Sequence, residues 1–199
     1  MRMKVCVPMM LLCLLLSGCG TEKKEDVNLR DPYQTMEGCQ MEAVVRCSEK
    51  DLAWEATMRC TYLPEESRVE VVQPETLAGV RAVVRQDGWQ LEYEELCLDI
   101  GPLSQEEISP VLALPRLMEA LRSGWLLEEN RETWQDEPCL RLMVDQTGEQ
   151  GGKIYSTIWL KEADGTPLRG EITVDGAVIL TIEFTAFEFC DTMQFETMP

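Results

Sequence analysis

The chain has 199 residues, with 36 acidic side chains against 18 basic ones, a formal net charge of −18, and no histidine. That charge argues against nucleic acid as a partner and against lying flat on an anionic membrane. Without histidine the commonest general base and zinc ligand are missing, and Ser-His and Cys-His catalysis within one chain are excluded.

Arg2 and Lys4 precede an apolar run from Val5 to Leu16, and small residues follow. The run is shorter than the roughly 20 apolar residues that span a bilayer. A basic start, a short apolar stretch and small residues predict a secretory signal over residues 1–18. Leu16-Ser17-Gly18-Cys19 resembles the bacterial lipobox, an aliphatic residue and two small residues before the cysteine that is lipidated. Cys19 is therefore predicted to carry a diacylglycerol and to become the first residue of the mature chain. Two acyl chains, at about 0.8 kcal/mol per buried CH₂, hold a protein stably on a membrane, where one does not. Losing Arg2 and Lys4 leaves sixteen basic residues against 36 acidic ones, a net charge of −20. Residues 19–37 are predicted as lipidated cysteine and polar tether, and residues 38–199 as the folded domain. Asp31 to Gly38 suits one short helical turn.

After Gly38 the chain alternates with period two. Met41, Ala43, Val45 and Cys47 form one face. Leu52, Trp54, Ala56, Met58, Cys60 and Tyr62 form the next. A four-residue loop from Ser48 to Asp51 pairs Cys47 with Leu52 and sets Cys39 opposite Cys60. That register permits a Cys39–Cys60 disulfide, with a reduced pair as the alternative. A strand at Arg68–Gln73 follows. In "VVRQDGWQLEYEE" a two-residue Asp87-Gly88 turn of type I′ pairs Val84 with Leu91 and Ala82 with Tyr93. Leu96–Ile100 is the next strand.

"SPVLALPRLMEALRSG" breaks the alternation. Leu114, Leu117, Met118 and Leu121 recur at helical spacing. Ser109 and Pro110 suit the helix start, and Gly124 suits its end. Pro115 either kinks this helix or begins its main part. Strands then resume at Gly124–Trp134, Pro138–Asp145, Lys153–Lys161 and Leu168–Val174. In "EITVDGAVILTIEF" parity favours a three-residue loop, Val174 to Gly176. It matches Ile172 with Val178 and Leu168 with Ile182, with a bulge and a left-handed Gly176.

The count is about eleven strands and one convincing helix, a strongly curved antiparallel sheet of mostly β, α+β class. The helix stripe is narrow beside so much apolar sheet. Either the sheet curls around the helix and closes its own core, or it leaves a concave apolar cavity. The residues predicted to line that cavity are Trp54, Met58, Val84, Trp89, Leu91, Tyr93, Leu114, Leu117, Leu121, Ile182 and Phe184. The carboxylates mostly form a solvated face. The chain has no CxxC pair, no GxSxG and no Gly-rich phosphate loop, so no catalytic residue, metal or cofactor is expected.

"SRVEVVQPETLAGVRAVVRQDGWQLEY", then "ISPVLALPRLMEALRSG", then "DGTPLRGEITVDGAVILTIEFTAFEF" follow an order that resembles the LolA-like lipoprotein-sorting family. The likeness is greatest to its Gram-positive, lipid-anchored branch of GerS-like germination lipoproteins. It covers about Gly38 to Phe189. It implies an open half-barrel with one or two helices across the concave face. With the surplus of apolar sheet, the expected function is binding of an apolar ligand in that face (lipid, acyl chain or lipoprotein segment); the alternative, from the resemblance to the GerS-like branch, is a protein partner in the envelope or in spore germination. Lipidation at Cys19 places the domain on the outer face of the cell membrane, fixed rather than shuttling.

Overall fold

A computed structural model describes residues 28–49, 52–102, 108–148 and 152–190. In chain order these form α1 (Asp31–Thr35), β1 (Gly38–Glu49), β2 (Leu52–Tyr62), β3 (Glu66–Gln73), β4 (Arg81–Arg85), β5 (Gly88–Tyr93) and β6 (Leu96–Gly101). A 3-10 turn at Pro110–Leu112 leads into α2 (Ala113–Ser123). The remainder is β7 (Trp125–Trp134), β8 (Glu137–Asp145), β9 (Ile154–Lys161), β10 (Pro167–Val174) and β11 (Ala177–Cys190).

The eleven strands make one open antiparallel sheet in the order β6-β5-β4-β3-β2-β1-β11-β10-β9-β8-β7. The chain starts in the middle and meanders out to the β6 edge. The 3-10 turn and α2 then carry it across to the opposite edge, β7, and it meanders back to seat β11 beside β1. Six of the ten strand pairings contain a register shift. Each shift bends and twists its strand, and together they curl the sheet. At one of them the Thr185 hydroxyl donates to the Glu42 carbonyl at 3.0 Å.

Three hairpin registers differ from the sequence expectation. The first pairs Glu49 with Leu52, so Cys47 faces Trp54, Cys60 faces Met41 and Cys39 faces Tyr62 rather than Cys60. The second turns at Gln86-Asp87, pairing Arg85 with Gly88, Val84 with Trp89 and Ala82 with Leu91. Gly88 is needed in the strand rather than the turn. A Cβ there would lie 2.6 Å from the Gly101 carbonyl oxygen of β6. The third is a two-residue turn with Asp175 at φ 48° and Gly176 at φ 83°, a type I′ turn. The left-handed Gly176 is as expected. The bulge sits instead inside β11, where Thr173 pairs with Val178 but Ile172 with Leu180. In all three the shift moves by an even count or is absorbed by a bulge, so the predicted faces survive although the partners change.

Helix α2 fills the concave face. Ala113, Leu114, Pro115, Leu117, Met118, Ala120 and Leu121 are all buried, a wider stripe than four leucine-type positions suggested. Pro115 is the third residue of the helix, where a missing N–H breaks no helix bond. Leu117 rests on Gly170 of β10, and a Cβ at Gly170 would come within 2.3 Å of Leu117 Cδ1. Helix α1 closes one end. Tyr33 is fully buried, donates to the Gly165 carbonyl at 2.6 Å, and packs its ring against Phe187 and Phe189.

Arg30 precedes α1 and is 8% exposed. Its guanidinium donates to the carbonyls of Leu121 (2.7 Å), Ala120 (3.0 Å) and Gly124 (2.5 Å). The Ala120 carbonyl also accepts from the Gly124 N–H, whereas Leu121 lies in the last turn, whose carbonyls a helix end leaves without intrahelical partners, and a cation is favoured there. The folded unit therefore takes in residues that the sequence assigned to a tether.

Two substitutions test this packing. Gly170→Ala should cost about 1–3 kcal/mol in urea unfolding by driving a methyl into Leu117. Added to Leu117→Ala, it should cost less than its single-variant value, whereas simple additivity would show that Leu117 is not the obstacle. Arg30→Met removes a charged donor from three carbonyls, of which Ala120 keeps the Gly124 N–H, and should cost about 2–4 kcal/mol. Thermal unfolding reads that loss as a drop of roughly 5–15 °C, and an unchanged midpoint would remove Arg30 from the helix clamp.

Candidate functional site

The predicted cavity residues separate into two groups. Met58, Leu114, Leu117, Leu121 and Ile182 are 0–2% exposed and belong to one packed core around α2. Trp89 is 6% exposed and joins the same core. Trp54, Val84, Leu91 and Phe184 are half-buried against its margins. Tyr93 lies on the predicted face but is 42% exposed. It pairs with Leu96 rather than Ala82, beyond the reach of the helix.

Tyr93 marks the end of a strip that α2 leaves uncovered. The helix packs on β2, β8 and β9, and its preceding 3-10 turn on β3 and β4. Past those strands the apolar face continues. Leu98 pairs with the half-buried Leu91, and Leu96 with Tyr93, so all four share the concave side. Leu96 is 73% exposed, Leu98 60% and Ile100 36%. The strip is therefore an open apolar wall along the β6 edge. Sequence reading placed β6 correctly but did not single out Leu96, Leu98 or Ile100. The available signal was "LCLDIG", an alternating strand with a single charge.

A second feature is a cleft of about 650 Å³ beside α2, between the β2–β3 turn, the β4–β5 turn and the start of β7. Its walls include Arg85, Arg116, Glu119, Arg122, Asp145 and Trp125. The Glu119 carboxylate accepts from the Tyr62 hydroxyl at 2.6 Å and from Ser123, and lies 3.7 Å from Arg122. Burial, and then the neighbouring Glu119, push the Tyr62 phenol well above its ordinary range. The Gln146 amide donates to the Arg116 carbonyl and accepts from Ser156. The polar groups here bind one another and hold the cleft walls. Among the described residues no group of three or more Cys, Asp or Glu is arranged to hold a metal ion.

Cys39, Cys47, Cys60, Cys97, Cys139 and Cys190 are all free thiols, and only Cys97, on β6, is exposed. Burial pushes the Cys39 and Cys60 thiols well above their ordinary range, reinforced at Cys39 by Cys190 and at Cys60 by Cys39. Cys19 lies outside the described residues. No described helix is long and apolar enough to cross a membrane.

No family model and no curated protein matches the chain. Among solved structures the chain is similar to an uncharacterized conserved protein from Thermus thermophilus, at 19% identity and a TM-score of 0.49, covering 85% of this chain and 90% of that one. It is also similar to a LolA superfamily protein from Nitrosomonas europaea, at 12% identity and a TM-score of 0.44, covering 86% and 94%. A third likeness is to a chain of the complex between the CwlD amidase and the GerS lipoprotein of Clostridioides difficile, at 12% identity and a TM-score of 0.40, covering 78% and 88%. These likenesses concern the fold.

The thiol arrangement gives a direct check. In native protein at pH 8, iodoacetamide should modify Cys97 rapidly and leave Cys39, Cys47, Cys60, Cys139 and Cys190 unreacted until denaturant is added. Peptide mass mapping reads the order. Early modification of Cys39 or Cys60 would contradict their burial. The same raised thiols and Tyr33 and Tyr62 phenols fix the sign of the alkaline response. The unfolded chain ionises first, so stability should fall as pH rises above about 8.5.

Proposed function

We propose that this chain is an extracytoplasmic lipoprotein, anchored through Cys19, whose LolA-like domain works by binding an envelope protein, without catalysis. One observation carries the reading. The middle of the concave face is packed around α2, and the longest run of exposed apolar side chains among the described residues is a strip on an edge strand. A carrier of acyl chains needs a concave volume that buries most of its ligand. A wall of four exposed side chains offers instead the contact area of a protein interface, with aromatic and aliphatic anchors. The absence of histidine and of any nucleophile motif supports binding over catalysis. The acidic surface suits solubility outside the membrane and attraction to a basic partner.

The exposed Cys97 thiol lies on the same edge strand, on its other face, between Leu96 and Leu98, and allows a direct test in intact cells. A thiol-attached photo-crosslinker on Cys97 of the full-length protein should give one discrete protein adduct. Leu98→Asp should abolish it, with the thermal midpoint unchanged. A lipid adduct that survives Leu98→Asp would restore the acyl-carrier reading. Cys19→Ala should move the protein from the membrane to the soluble fraction; retention on the membrane would remove the anchor.

A further inference from the structure

The sheet has two open edges, and they are built differently. β7 runs along one edge; Trp125 and Leu127 are exposed at its start, but Glu128, Glu129, Arg131 and Glu132 follow within its ten residues. Charges along an edge discourage another chain from pairing with it. β6 runs along the other edge, and in "LCLDIG" only Asp99 is charged. Its Leu96, Leu98 and Ile100 are exposed, and so is the rest of the strand up to Gly101, which is half-buried. One side of the β6 backbone meets β5. Among the described residues no strand lies on the other side. The two faces of β6 also differ. The concave face is apolar. The convex face presents Cys97 opposite Glu92 and Asp99 opposite Gln90, with Glu94 and Glu95 in the adjoining turn.

The surrounding charge narrows what fits there. Arg46, Arg59, Arg68, Arg81 and Arg85 on the convex side of β1 to β4 each lie against a glutamate, at 2.6 to 3.5 Å. Those cations are already engaged, and the carboxylates beside β6 exceed them. A second copy of this chain would bring a further net charge of −18 and a further Glu94, Glu95 and Asp99 to the same edge. An extended segment with cationic residues would meet complementary charge instead.

Resting on the partner-binding reading above, we propose that β6 accepts an extended segment of the partner protein as a twelfth, added strand. That segment alternates apolar residues, which continue the Leu96–Leu98–Ile100 wall, with basic residues set against Asp99, Glu92 and the Glu94-Glu95 turn. Main-chain hydrogen bonds to the open side of β6 supply affinity, and the alternation supplies specificity.

The test uses the full-length protein in detergent and ten-residue peptides. One alternates valine and lysine, one alternates valine and glutamate, one has the valine–lysine composition in two blocks, and one carries a central proline. Hydrogen exchange read by mass spectrometry should show protection of 96–101 by the alternating valine–lysine peptide. The glutamate, block and proline peptides should each bind at least about tenfold more weakly. Leu98→Lys should weaken the valine–lysine peptide by a similar factor, and Trp125→Lys, on the β7 edge, should not. Asp99→Lys should reverse the preference between lysine and glutamate peptides. Protection elsewhere, or equal binding of the block and alternating peptides, would overturn the proposal as mere charge attraction. Protection of 96–101 that grows with protein concentration and needs no peptide would overturn it in favour of a second copy. Failure of the peptides while the Cys97 adduct and its Leu98→Asp loss persist would overturn strand addition and leave the partner-binding reading standing. Loss of both would overturn both.

Discussion

An eleven-stranded sheet with one apolar face and a single eleven-residue helix to cover it sets the terms for the whole molecule. The face cannot be left to water, and the helix cannot reach all of it. Most of what is unusual in the packing answers that shortage. Seven of the eleven residues of α2 are buried. Gly170 gives up its side chain so that Leu117 can approach the sheet. The helix also ends against the sheet, where water is a poor partner for its last carbonyls. Arg30 supplies the missing donors from the N-terminal side of the domain. The cost of burying its charge is met because all three bonds are charge-assisted and sit at the negative end of a helix dipole.

The same shortage explains where the open surface lies. The chain leaves the first half of the sheet at the β6 edge and enters the second at the β7 edge, so α2 has to run from edge to edge over the middle. The middle is covered, and the β5–β6 margin is not. On the convex side the problem does not arise, because cross-strand Arg–Glu pairs make that face polar. Glu66 illustrates the balance. Burial alone would raise its carboxyl, but hydrogen bonds from Arg68 and Arg85 outweigh this and hold it below its ordinary value. Exposed pairs of this kind contribute about 0–1 kcal/mol each. Their larger effect is on the field, since they occupy cations and leave the surplus of carboxylates to set the potential. At the far end of the convex face Arg169 lies 4.2 Å from the Trp134 ring centroid and 5.6 Å from that of Trp159, a cation–π stack that shields both indoles.

Side-chain alternation made the faces legible, and it left the partners undetermined. Met41, Ala43, Val45 and Cys47 were assignable to one side because period two has only two answers. Which residue stood opposite Cys39 depended on the length of one turn, and several lengths keep the same parity. Asp87-Gly88 looked like a turn because that pair favours φ > 0. The glycine was required instead by the approach of Gly101, a contact far along the chain that local sequence does not show. The clash of parity in the last hairpin pointed to a three-residue bulged turn, and the structure resolves it with a two-residue turn and a bulge at Ile179 of β11, since either removes the clash. The site was legible in outline only. Trp89 and Leu117 were correctly placed on the inner face, but whether they line a cavity or fill a core depends on packing around a helix. Arg30 was invisible, because its partners are backbone carbonyls about ninety residues away.

The position of Arg30 also bears on how an anchored domain would work. Eleven peptide steps separate Cys19 from Arg30, and a fully extended chain covers at most about 3.6 Å per step. With acylated Cys19 at the bilayer, the clamp on α2 would stay within about 40 Å of the membrane surface. The domain would be confined to a thin layer, and the concentration of any partner in that layer would act as an effective concentration rather than a bulk one. For a domain so anchored, a modest strip on one edge strand would suffice to hold a partner, because part of the entropy of encounter would already be removed by the anchor. A freely diffusing carrier would need a ligand site strong enough to hold its cargo alone. A packed middle of the concave face and an open edge strand are the observed features on which the proposal of a partner met at the membrane rests.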